Sequence, residues 1–73
     1  MPKPISEALR IYAEENEALA AYRRAEADLY DNAAREVRAG IDHETPEFLH
    51  LNQAVIEAAN KLPKRYKNIT KRV

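Results

Sequence analysis

From Ile5 to Ala39 the large apolar side chains recur at helical spacing, and no Gly or Pro interrupts them. Ala, Glu, Arg and Leu, all favourable in helices, make up most of this stretch. At about 100° per residue, Ile5, Leu9, Ile11, Tyr12, Leu19, Tyr22, Leu29, Tyr30 and Val37 fall on one arc of roughly 160°, joined by Ala8, Ala33 and Ala34. The opposite side carries Glu7, Arg10, Glu14, Glu17, Arg24, Asp28, Arg35 and Arg38. Three pairs on that side, Arg10 with Glu14, Arg24 with Asp28 and Asp31 with Arg35, stand four residues apart, which adds a few tenths of a kcal/mol each. The pattern predicts one long amphipathic helix over 5–39 with a solvated back.

Glu15, Asn16, Arg23 and Glu26 project into the apolar arc near its middle. The simplest expectation places them at the margins, their heads reaching water. Two others compete with it: a polar layer that sets register against a partner helix, and a break that would divide the stretch into two helices.

Punctuation defines the rest. Pro4 suits a first helical turn, Ser6 offers an N-cap, and Glu7 complements the positive helix end. Arg35 and Arg38 stand in the last turn, Gly40 follows where a left-handed cap is wanted, and Ile41 can fold back on the helix end. After the short connector 41–44, Thr45-Pro46-Glu47 reads as an N-cap, a first-turn proline and an acid that complements the dipole. Phe48, Leu51, Val55, Ala58, Ala59 and Leu62 then recur three and four apart, with Leu49 and Ile56 widening the face, until Pro63 ends it. The second helix therefore covers about Pro46 to Lys61, and so short a loop folds it back as an antiparallel hairpin. The fold class is all-α, with a helical hairpin over 1–62 and a tail over 63–73.

The two helices are unequal, about 52 Å against about 24 Å at 1.5 Å per residue. Packed back from Gly40, the second should shield Leu29, Tyr30, Ala33 and Val37 while leaving Ile5, Leu9, Ile11, Tyr12 and the borderline Leu19 without cover. At about 1.5–3 kcal/mol per large side chain fully buried, that exposure forfeits as much as a domain of this size has to offer, about 3–5 kcal/mol. Another surface is expected to cover those five residues. A homodimer with antiparallel long helices, giving a four-helix arrangement, is the simplest candidate, and a helix of a partner protein is the other. The competing intramolecular solution folds the tail back through Tyr66 and Ile69.

With 73 residues the chain makes one small domain, and having no Cys it has neither disulfides nor thiolate metal sites. Met1-Pro2-Lys3-Pro4 leads straight into the amphipathic stretch without a signal-peptide run, and no segment is apolar enough to span a bilayer, so a cytoplasmic location is expected.

Formal charge is zero overall yet unevenly placed. Residues 1–60 hold six basic side chains against twelve acids, whereas 61–73 hold Lys61, Lys64, Arg65, Lys67, Lys71 and Arg72 with no acid. The tail is expected either to fold against an acidic face or, in the alternative functional reading, to contact nucleic-acid phosphates with Tyr66 stacking on a base. No DNA-reading motif accompanies it.

For catalysis there is little to assemble. Glu47 and His50 have the E-x-x-H spacing of carboxylate-bridged di-metal bundles, for which Glu15 or Glu26 would have to supply a further ligand, but one such spacing arises readily by chance. Neither a nucleophile with its base nor a Gly-rich phosphate loop is present. The expected protein is non-enzymatic, without cofactor, metal or small-molecule substrate, and Tyr12, Tyr22 and Tyr30 are expected to pack with their hydroxyls at the rim.

Overall fold

The computed structural model describes residues 6–70. It contains helix α1 (Glu7–Arg38), helix α2 (Pro46–Asn60) and a 3₁₀ segment (Lys64–Thr70), arranged as a hairpin whose return arm ends in a short fold-back. Ile5, Lys71 and Arg72 lie outside the described residues.

Local chemistry sets both hairpin ends. Ser6 is the N-cap of α1, its Oγ accepting from the Leu9 N–H at 3.3 Å. At the other end Gly40 takes φ 80°, and its N–H donates to the Val37 carbonyl at 3.0 Å while the Ile41 N–H donates to Glu36 at 2.9 Å. These two bonds satisfy carbonyls that the last helical turn leaves open. Thr45 caps α2 by accepting from the Phe48 N–H at 3.0 Å, and its own hydroxyl donates to the Glu36 carboxylate. One side chain thus starts α2 and ties it to the end of α1.

α1 runs without interruption through Glu15, Asn16, Arg23 and Glu26, which excludes the divided helix. Those residues are engaged within the chain: Glu15 pairs with Arg65, Asn16 donates to the Tyr12 carbonyl at 2.8 Å, and Arg23 meets Glu26 at 3.0 Å.

The core consists of Tyr22, Leu29, Val55 and Leu62, with Ala18, Leu19, Ala25, Phe48, Leu51, Ala58, Ala59 and Tyr66 packed around it. Leu29 is sheltered as expected and Ala33 is half-buried, but Tyr30 and Val37 are not covered: they are 53% and 72% exposed. The correction has a geometric cause. One facing helix covers a narrower stripe than a 160° arc, and at about 100° per residue Tyr30 and Val37 lie roughly 80–100° around α1 from Leu29. Exposure therefore divides the arc into two edges along its length.

Beyond Leu62 the tail turns back against the hairpin. Tyr66 packs on the core cluster, and the Lys67 Nζ donates to the carbonyls of Ala59 and Asn60, each at 3.1 Å, closing the C-terminal end of α2. Ile69 remains 37% exposed. The fold-back reaches α1 at Glu15, in its third turn, and none of its side-chain hydrogen bonds goes further toward the N-terminus among the described residues.

Candidate interaction surface

The surface is built on α1 because α1 outruns its cover. At 1.5 Å per residue its 32 residues extend about 48 Å, while the 15 residues of α2 extend about 22 Å. A groove lined by Ala18, Ala21, Ala25, Ala54, Ala58 and Lys61 runs between the two helices, and the core extends no nearer the N-terminus of α1 than Ala18. The first turns of α1 project past this point. Leu9 and Tyr12 are each 60% exposed, and Ile11 is exposed as well, although its phase matches that of buried Leu29. Leu19 is half-buried against the core cluster. Of the five residues expected to need cover, three are thus bare, one is partly sheltered and Ile5 lies outside the described residues.

Tyr30 and Val37 continue the bare surface to the far end of α1. Sequence reasoning missed them as surface residues, since their apolar character placed them on the arc and only the position of α2 tells which edge it covers. Beside Val37, at the hairpin turn, lies an open groove of about 350 Å³ lined by Ala33, Glu36, Val37, Ile41, His43 and Phe48. Asp42 and Glu44, both exposed, also line it, while the Glu36 carboxylate is taken by the Thr45 hydroxyl.

Between the two apolar ends the surface is polar. The Arg23 guanidinium lies 5.7 Å from the Tyr22 ring centroid and bonds to Glu26 Oε1, while Glu26 Oε2 accepts from the Tyr22 hydroxyl at 3.1 Å. Burial, and after it that hydrogen bond, push the Tyr22 phenol above its ordinary value of 10.0. Tyr22 was expected to keep its hydroxyl at the rim of a packed ring, and its bond to Glu26 accords with that; Tyr12 and Tyr30 are instead largely exposed.

The tail residues separate by role. Lys61 and Lys64 are exposed. Arg65 pairs with Glu15 and lies 4.9 Å over the Tyr66 ring, and Lys67 caps α2, so three of the seven positions singled out for phosphate contact and stacking are engaged within the chain. Lys71 and Arg72 lie outside the described residues. Glu47 and His50 are both exposed on α2, and Glu15 is turned toward Arg65. Among the described residues no three His, Asp or Glu side chains come together as a set of metal ligands, and no helix is long and apolar enough to cross a membrane.

Buried Asn32 was also missed. It is 2% exposed, and its Nδ2 has no hydrogen-bond partner. Its phase is the available signal, because Asn32 follows Ala25 by seven residues and Leu29 by three, on the face that α2 covers.

Comparison with protein-family models, curated proteins and solved structures finds no match to the chain.

Proposed function

We propose that the chain is a small, non-enzymatic interaction protein that associates with an amphipathic helix, in a second copy of itself or in another protein, through Leu9, Ile11, Tyr12 and the open side of Leu19. Ile5 extends the same stripe in the sequence. One observation carries this reading: the N-terminal turns of α1 present large apolar side chains that neither α2 nor the 3₁₀ segment covers. Burying Leu9 and Tyr12 on a partner helix contributes up to about 1.5–3 kcal/mol each, less what their present partial cover already supplies, and Ile11, about 160° around α1 from Leu9, has to meet a second element of the partner.

Light scattering coupled to size exclusion tests the reading, together with hydrogen exchange along α1. The expected species is larger than a monomer and becomes monomeric with Leu9→Glu. A monomer whose residues 7–15 fray fast relative to 22–32 points to a partner of another kind. A monomer in which both stretches are equally protected overturns the proposal, because the overhang then needs no cover.

A further inference from the structure

The exposed edge of α1 has a seven-residue period. Leu9, Asn16, Arg23, Tyr30 and Val37 form one series, and Tyr12, Leu19, Glu26 and Ala33 form a second, three residues further along. Two such series are the a and d positions of a coiled-coil seam. All nine residues are exposed or half-buried, so a second helix can lie along the seam with α2 left in place on the other edge.

Along this seam the two ends are apolar and the middle is polar, and that decides the orientation of a second copy. Side by side in parallel, two copies would set Arg23 against Arg23 and Glu26 against Glu26, placing like charges inside the seam. A two-fold axis across the helices removes the conflict, since a positions then face d positions. In the register that sets Arg23 opposite the partner copy's Glu26, Leu19 meets Tyr30, Asn16 meets Ala33 and Tyr12 meets Val37, each pairing occurring twice. Every Arg23 is then flanked by two carboxylates, its own Glu26 at 3.0 Å and the partner's. The same register carries Leu9 to the partner's turn at Gly40, beside the groove between Val37, Ile41 and Phe48. There the positive N-terminal end of α1 also approaches the exposed acids Asp42 and Glu44.

We infer that the occupant of this edge is a second copy of the chain, antiparallel, with Tyr12 on the partner's Val37, the Arg23 and Glu26 pairs at the two-fold axis, and Leu9 at the partner's groove. The inference rests on the proposed interaction function and narrows it to one partner and one register.

Because the chain has no Cys, single-cysteine variants report neighbours directly. Tyr12→Cys, Val37→Cys and Tyr30→Cys all replace exposed side chains and leave the core untouched. A disulfide needs Cα atoms within about 7 Å, and in the inferred register Tyr12 stands about 37 Å along the axis from its own copy. Mixing Tyr12→Cys with Val37→Cys chains under mild oxidation is therefore expected to yield the mixed disulfide, with neither variant cross-linking alone. A predominant 12–30 product would overturn the register, shifting it by one heptad. Same-site 12–12 and 37–37 products would mean a parallel pair and overturn the orientation while leaving the proposed function intact. A dimer by light scattering that forms none of these products overturns the seam. A monomer overturns self-pairing, and hydrogen exchange at residues 7–15 then decides the fate of the broader proposal.

Discussion

Two residues of α1 sit where their chemistry has measurable consequences. Asn32 brings a carboxamide donor into the helix contact without a partner, which costs roughly 1–3 kcal/mol in desolvation. Asn also has a lower helix propensity than Ala. Asn32→Ala should therefore stabilise the chain by about 1 kcal/mol after the loss of some packing, raising Tm by about 4–8 °C in a domain of this size. A fall of similar size on thermal melting would show that the amide is satisfied and that the site holds the hairpin together. Tyr22 makes its prediction through pH. Its phenol is held protonated in the folded chain, so its contribution is complete below the ordinary value of 10.0 and is lost as pH rises through the higher folded value. Tyr22→Phe should flatten the alkaline decline of Tm relative to the unaltered chain, and an unchanged slope would count against the Glu26 bond as a pH-dependent contact. The burial of Tyr22 was legible from its place on the apolar arc. That of Asn32 was not, because Asn32 shares the helical phase of Glu14, about 60° outside the arc, and a polar residue there reads as solvated until the direction of the facing helix is known.

At the level of elements, ends are set by a few local bonds, and these were readable from Ser6, Gly40, Thr45 and Pro63. Gly40→Ala introduces a Cβ that meets nothing within 4 Å, so its effect is the backbone cost of a left-handed φ, about 1–2 kcal/mol. Thr45→Ala removes the cap of α2 and the donor to Glu36 together, for about 1–2 kcal/mol, and Thr45→Ser should recover most of it. Chemical denaturation of the three variants checks both values; a Thr45→Ala chain as stable as its parent would remove the hydroxyl from the account of how α2 starts. The 3₁₀ segment was harder to read. Lys64–Thr70 shows no apolar period, and what holds it is distant in the chain: Arg65 reaches Glu15 across fifty residues and Lys67 reaches the α2 carbonyls. A run of basic residues looks the same in a sequence whether it is solvated or used as caps and pairs.

For the whole molecule the question is which edge of a wide arc a single short helix takes. The sequence defined the arc and its excess over the cover available, but the choice depends on how Ala18, Ala25, Ala54 and Ala58 let the helices approach, and small residues carry no direction in a linear pattern. With that choice made, the uncovered edge holds opposite charges near its centre, and an antiparallel pair can be tested by reversing them one at a time. Arg23→Glu leaves two acids at the axis of each chain, and Glu26→Lys leaves two bases. Each variant alone should associate at least about tenfold more weakly than the parent, since like charges brought together at an interface cost more than about 1.4 kcal/mol. Mixed in equal amounts, the two should form a one-to-one heterodimer, because every acid then faces a base. Native mass spectrometry of the mixture distinguishes this species from either homodimer, and circular dichroism of each variant shows that the helices persist. The advantage of the mixture over the single variants should shrink as salt is raised, because exposed charges are screened within a few ångströms at high ionic strength. Equal association by the variants alone and mixed, at low salt, would mean that Arg23 and Glu26 lie outside the contact, and the two-fold axis would have to be sought elsewhere along α1.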